Sequence, residues 1–305
     1  LVWRARPKSS NVTETPPLEW RTTLRSGAPF FTVALADVVQ QRADLLLLGA
    51  IATPEVTGIY AAAVSIVRVV IKIVQAFWRA LFPTLGRFFR PAVAEARADA
   101  GKAEHGERLF ALALRFALIA TVGVAVVVTP LAERLAMLLF GVEFAPAGGV
   151  LALLIWSAPL YAWETASITR LMAARAARAA VRITIVHLLL LLLLLPLLGW
   201  RFGAEGAAAA TVLAAAGGAL VGFWLLRQWN DWQTVGVLLR VAGCALVATA
   251  ASTLAAQAMG WFALLPMASS LAAAIVGLFA YAFLLISTRL LTGEDVTLLR
   301  RAIKA

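Results

Sequence analysis

Ile183-Thr184-Ile185-Val186-His187-Leu188-Leu189-Leu190-Leu191-Leu192-Leu193-Leu194-Leu195-Pro196-Leu197-Leu198-Gly199-Trp200 contains no Asp, Glu, Lys or Arg, and its leucine run is closed only by Pro196. A helix needs about 20 mostly apolar residues to cross the hydrocarbon core of a bilayer, and residues 179–200 supply them. The leucine run offers water no polar face, so its surroundings are lipid. Working outward, further stretches of spanning length fall at 27–51, 56–83, 108–129, 147–170, 204–227, 233–257 and 263–288. The last two share an uncharged run from Val241 to Ile286 and beyond, ended by Arg289. One continuous helix would be far too long there. Gln257-Ala258-Met259-Gly260 divides the run, and Pro266 opens the next helix. The sequence therefore predicts an all-α integral membrane protein with about eight transmembrane helices.

Composition agrees. Of 305 residues, 62% are hydrophobic and 14% charged, with a mean hydropathy of +0.88. A soluble domain is about 25% charged, so a soluble enzyme, a disordered chain and a secreted disulfide scaffold are excluded. The net charge of +11 would point to nucleic acid in a soluble protein. Here it reads as the basic flanks that orient membrane helices, and no nucleic-acid partner is expected. A single cysteine, Cys244, and two histidines, His105 and His187, leave no disulfide and no metal-ligand spacing. Neither a P-loop nor a G-x-S-x-G nucleophile motif is present, so no enzyme activity, metal or cofactor is expected. The chain starts Leu1-Val2-Trp3-Arg4, without an initiator Met or a signal peptide, and is expected to be a fragment of a longer protein.

The positive charges fix an orientation. Nineteen Lys and Arg flank alternate loops and the termini, among them Arg21, Arg25, Arg87, Arg108, Arg170, Arg178, Arg182, Arg227 and Arg289; the opposite loops hold only Arg134 and Arg201. The positive-inside rule then puts both termini in the cytoplasm. Residues 52–57 and 257–262 are read as tight turns, and Pro130 to Pro146 as room for a short interfacial helix. Several tryptophans, including Trp156, Trp163, Trp200 and Trp224, are expected at the membrane interfaces. The small residues from Gly203 to Gly218 are expected to let a helix pack closely on its neighbour.

Charges inside the membrane are few and clustered. Each costs about 2.5–3.5 kcal/mol near the bilayer centre even on lenient scales, so each should face a cavity or a partner. In the second span, Lys72, Gln75 and Arg79 lie at about 40°, −20° and 20° from Arg68 around the helix, so all four share one stripe. In the first span, Asp37, Gln41 and Asp44 also share a stripe. Counting inward from the turn sets Asp37 and Gln41 at the depth of Arg68 and Lys72. Two readings coexist. One is an ion-pair ladder in which Asp37 and Asp44 neutralise Arg68 and Lys72. The other is a cationic cavity wall suited to a phosphate or pyrophosphate. Simple snorkelling of Lys72 and Arg79 to the cytoplasmic surface is a third. Glu164 is either a cavity residue or a locally paired carboxylate. His187, alone on an apolar face, is read as a packing residue before a proton relay.

Five motifs then carry a family resemblance. Arg42-Ala43-Asp44-Leu45-Leu46-Leu47-Leu48-Gly49 and Glu55-Val56-Thr57-Gly58-Ile59-Tyr60-Ala61-Ala62-Ala63 resemble the start of the second half of Wzx-type polysaccharide flippases. Ala80-Leu81-Phe82-Pro83-Thr84-Leu85 is similar to that family's helix exit, and Phe140-Gly141 with Phe144-Ala145-Pro146-Ala147 to one of its loops. Gly203-Ala204-Glu205-Gly206-Ala207-Ala208 resembles its next helix start, and Gly293-Glu294-Asp295-Val296-Thr297-Leu298-Leu299 its acidic ending. The family belongs to the multidrug/oligosaccharidyl-lipid/polysaccharide exporter superfamily, whose members have two six-helix bundles around a central cavity.

The resemblance implies a cytoplasmic linker at 1–26, the second six-helix bundle at 27–229, and an additional helix pair with a cytoplasmic tail at 230–305. It implies a multi-pass protein of the bacterial inner membrane that flips a polyprenyl-pyrophosphate-linked oligosaccharide for cell-surface polysaccharide or lipopolysaccharide synthesis. Its partners would be that lipid-linked oligosaccharide, membrane lipid and an N-terminal bundle. The anion-binding role falls on Arg68, Lys72, Arg79 and Gln75, with Asp37, Gln41, Asp44 and Glu164 as cavity or ion-pair residues. The alternatives are a cation-coupled multidrug exporter of the same superfamily, with Asp37 and Asp44 as coupling carboxylates, or a non-transporting fragment. A membrane glycosyltransferase would need a larger extramembrane loop than the sequence provides.

Overall fold

A computed structural model describes residues 20–88, 96–174, 176–227 and 266–287, with 240, 241, 243, 244, 247–251 and 254 between them. The expected linker (except 20–26), most of the seventh span, the 257–262 turn, the tail and the Gly293–Leu299 motif lie outside these residues. Among the described residues every element is helical. They are α1 (Trp20–Ile51), α2 (Pro54–Phe88), α3 (Ala96–Phe140), a 3-10 turn (Val142–Phe144), α4 (Ala147–Leu154), α5 (Ser157–Ala173), α6 (Ala177–Leu226) and α7 (Pro266–Ser287). Pro54–Phe88, His105–Phe140 and Ala177–Leu226 are each long and apolar enough to cross a membrane.

The other predicted spans escape that criterion for local reasons. In α1, Asp37, Arg42 and Asp44 fall together in its C-terminal half. The 147–170 span is divided at residues 155–156. Pro159 is the cause: it has no N–H to give the Ile155 carbonyl, and its ring crowds that oxygen. The carbonyl instead accepts the Ala158 N–H at 3.1 Å, a tighter turn.

α6 runs the other way, two spans in one element. Gly203 sits at φ +61°, ψ −136°, breaking the helix into halves. A Cβ on Gly206 would lie 2.0 Å from the Leu198 carbonyl oxygen, one on Gly217 2.1 Å from Leu190, and one on Gly222 3.6 Å from Ile183. As one number rises the other falls, so the halves form an antiparallel hairpin whose glycines admit the facing helix. The predicted spans 179–200 and 204–227 are these halves.

Two expectations need correction. No separate interfacial helix follows Pro130, because α3 continues through it to Phe140; the carbonyl four residues back loses one bond, which a membrane helix tolerates. Trp163 is not at an interface: it is buried, and its Nε1–H donates to the Ala219 carbonyl at 3.0 Å, tying α5 to α6. Trp200 and Trp224 are exposed, as a belt requires.

Besides a small cluster of Leu171, Ala180, Ile183 and Leu226, the helices pack around two large apolar cores. One gathers Tyr60, Val67, Leu151, Ile155, Leu191, Leu195 and Ala207. The other gathers Val74, Trp78, Phe110, Ala162, Trp163 and Tyr281. On α2 the first core ends and the second begins between Val67 and Val74, and along the α4–α5 segment between Ile155 and Ala162. Arg68 and Lys72 of α2 and Tyr161 of α5 fall in that gap.

Candidate functional site

α1 and α2 are joined by Ala52–Thr53 alone and run antiparallel, so their polar stripes face each other in three rungs. Arg68 Nη2 donates to Asp44 Oδ1 at 2.9 Å and Oδ2 at 3.2 Å, and to the Gln41 carbonyl at 2.7 Å. Lys72 Nζ donates to Gln41 Oε1 at 2.6 Å and Gln75 Oε1 at 3.2 Å. Gln75 Nε2 donates to Asp37 Oδ1 at 3.3 Å. This register is about one helical turn off the expected one, with Asp44 rather than Asp37 or Gln41 opposite Arg68. Side chains on a helix lean toward its N-terminus. Those of α2 therefore lean toward the turn and those of α1 away from it.

The two acids are held differently. Asp44, 5% exposed, has a cation, Arg68, and also accepts the Leu45 N–H at 2.8 Å and the Tyr60 hydroxyl at 3.2 Å. Tyr60 is in turn 3.0 Å from Thr211 Oγ1 on the second half of α6. Asp37 is bound by neutral donors: Tyr161 Oη at 2.8 Å and Gln75 Nε2 on Oδ1, and Gln41 Nε2 at 2.9 Å on Oδ2. The expected neutralisation of Asp37 by Lys72 is replaced by these amide and phenol bonds. Tyr161 Oη also accepts from Gln75 Nε2 at 2.7 Å, so the phenol ties α5 to both α1 and α2.

Glu164 and His187 share one contact, Oε2 to Nδ1 at 2.6 Å, at 2% and 3% exposure. The carboxylate is both a cavity residue and a paired one, and its partner is the histidine that looked isolated in sequence. At the other end of α5, Arg170 is buried and bonds to Glu107 of α3.

Two cavities open on this layer. The larger, about 470 Å³, is lined by Asp37, Gln40, Gln75, Trp78, Arg79, Tyr161, Glu164 and Thr184, with Phe30 and Phe82. The smaller, about 70 Å³, is lined by Asp37, Gln41, Asp44, Arg68, Lys72, Tyr161, His187 and Thr211. The stripe of α2 is thus shared between them: Arg68 and Lys72 face the small cavity, Gln75 and Arg79 the large one. Lys72 and Arg79 are exposed, and neither forms an ion pair with a described residue. Gln40 and Trp78, which line the large cavity, each keep a buried side-chain nitrogen, Nε2 and Nε1, without a hydrogen-bond partner among the described residues. Tyr161, Thr211, Gln40 and Trp78 stand outside the stripes and motifs of the sequence, and Tyr60 enters there only within a motif; Tyr60, Tyr161 and Thr211 gain their roles from partners on other helices.

Fold and site together define a multi-pass helical membrane protein built around a polar layer with two cavities. Among solved structures it is similar to the lipid II flippase MurJ in an inward closed conformation, with a TM-score of 0.67 at 14% identity over 88% of this chain and 55% of that one. The chain thus has that fold and spans about half that flippase's length. A transporter of the MOP superfamily from Pyrococcus furiosus aligns at a TM-score of 0.49 and 18% identity, over 86% of this chain and 64% of that one. No family model and no curated protein matches the chain.

Proposed function

We propose that this chain is part of a flippase of the multidrug/oligosaccharidyl-lipid/polysaccharide exporter superfamily, moving a polyprenyl-pyrophosphate-linked oligosaccharide across the bacterial inner membrane. Residues 27–229 would be its second six-helix bundle, residues 230–305 an additional pair and tail, and both termini would be cytoplasmic. The lipid II flippase carries a lipid-linked substrate on the same fold, which supports a substrate of that kind. Polysaccharide export is the Wzx-type reading.

The observation that carries the reading is the division of labour on α2. Asp44 engages Arg68, while Lys72 and Arg79 reach the cavities without a carboxylate of their own. They offer two cations to a group rich in oxygen acceptors, as a pyrophosphate is. Gln75 holds Asp37 back from that group, and Arg68 orders the ladder beneath it. Combined Lys72→Ala and Arg79→Ala in the full-length protein should abolish surface polysaccharide and accumulate the lipid-linked precursor at normal protein level. Intact export from that variant would refute the anion site.

Asp37 supports a second reading, a cation-coupled exporter. Its carboxylate lines both cavities and is satisfied by neutral donors, so a cation could be admitted there, whereas Asp44 already has Arg68. Sodium- or proton-driven dye efflux lost in Asp37→Asn, with lipid-linked glycan flipping unaffected by Lys72→Ala and Arg79→Ala, would select that reading.

A further inference from the structure

We infer that Glu164 and His187 form an exchangeable proton-binding site in the wall between the two cavities. This goes beyond the proposed substrate and does not depend on it. Glu164 lines the large cavity and His187 the small one, and they meet at 2.6 Å. A proton bound to the pair is therefore one contact away from either space. The hairpin of α6 makes room for the acid: a Cβ on Gly218 would lie 2.9 Å from the Glu164 carboxyl carbon and oxygen. The glycine leaves the carboxylate room where it sits, between His187 on one half of the hairpin and Gly218 on the other.

The chemistry needs no co-reactant. With His187 neutral, its Nδ1–H donates to the carboxylate and the pair carries one negative charge. Adding a proton from water at the other ring nitrogen gives an imidazolium beside a carboxylate, with no net charge. No other bond is made or broken. The charged and titratable groups facing the pair across the cavities are Asp37 and Asp44 from α1, Arg68, Lys72 and Arg79 from α2, and Tyr161 from α5. α3 and α4 add none to either cavity. Asp44 and Arg68 offset each other, so Asp37 and the two cations set the background against which one proton changes the cavity charge by one.

In the full-length protein, uniformly 15N-histidine-labelled and purified in micelles, the ring nitrogen resonances absent from the His187→Gln variant belong to His187, and they should titrate as one proton between pH 5 and 9. Adding Glu164→Gln removes the carboxylate from the ring nitrogen and should shift that midpoint by about one pH unit or more. A His187 spectrum unchanged across that range, the behaviour of a fixed structural bond, would overturn the inference. So would an unchanged midpoint in Glu164→Gln. The titration with Glu164 intact requires no change at residue 164 and decides alone whether the site exchanges protons.

Discussion

Replacing Arg68 by Met should cost far more than replacing Asp44 by Asn, although both remove the same ion pair. Arg68→Met removes one nitrogen's bonds to Asp44 Oδ1, Asp44 Oδ2 and the Gln41 carbonyl. It leaves the Asp44 carboxylate, whose side chain is 7% exposed, with the Leu45 N–H and the Tyr60 hydroxyl alone. Stranding a buried charge costs about 3–5 kcal/mol. Tyr60 and Leu45 still solvate the carboxylate, so the lower end, about 3 kcal/mol, applies. Asp44→Asn strands nothing comparable: the Arg68 side chain is 24% exposed and can turn to the cavity, and the amide oxygen still accepts. That cost is about 1 kcal/mol, one charge-assisted bond weakened to a neutral one. The double variant should then be more stable than Arg68→Met by about 2 kcal/mol, because the stranded charge is gone. Equilibrium unfolding in mixed micelles titrated with sodium dodecyl sulfate measures all three. Equal costs for the single variants, or a double variant that is merely their sum, would refute the assignment of Asp44 as a buried charge held by Arg68.

Gly206→Ala should prevent the α6 hairpin from closing, because its Cβ would lie 2.0 Å from a backbone oxygen that cannot rotate away; overpacking of that kind costs about 1–3 kcal/mol or more. Gly58→Ala, with nothing within 4 Å, should instead gain about 0.5–1 kcal/mol of helix propensity, and size-exclusion profiles with thermal ramps compare the two. Tyr161→Phe removes the phenol from Asp37 and Gln75 and should lower the unfolding midpoint while leaving α2 helical; circular dichroism with thermal denaturation checks both, and an unshifted midpoint would show that the phenol adds no net stability.

What the sequence disclosed was whatever repeats within one helix. The stripes Arg68-Lys72-Gln75-Arg79 and Asp37-Gln41-Asp44 follow from helical spacing, and three of their rungs exist. The spans 179–200 and 204–227 are legible as two apolar stretches of spanning length with Arg201 between them. The break in 147–170 is also written in the chain, as Pro159 in the middle of that stretch. The pairing of Glu164 with His187 was not legible. The two residues lie 23 apart on different helices, and only the hairpin's docking on α5 brings them together. The same holds for Tyr161 and Thr211. The depth of the ladder was misjudged by a turn, because counting backbone residues from the loop ignores the direction in which side chains lean.

The sequence separations of these bonds order the assembly of the site in time. The α1–α2 rungs span 24 to 38 residues and can close as soon as α2 has left the ribosome. The α6 hairpin is equally local and can insert as a finished pair. Asp37, however, waits 124 residues for Tyr161, and Tyr60 waits 151 for Thr211. Distant contacts bear the larger closure cost and form late. During synthesis the nascent bundle therefore holds an Asp37 carboxylate one donor short, and a Tyr60 hydroxyl without Thr211. Biogenesis of the polar layer finishes only when the α6 hairpin docks, so a chain that stops before it should present quality-control machinery with a Glu164 carboxylate that lacks its His187 partner inside the membrane.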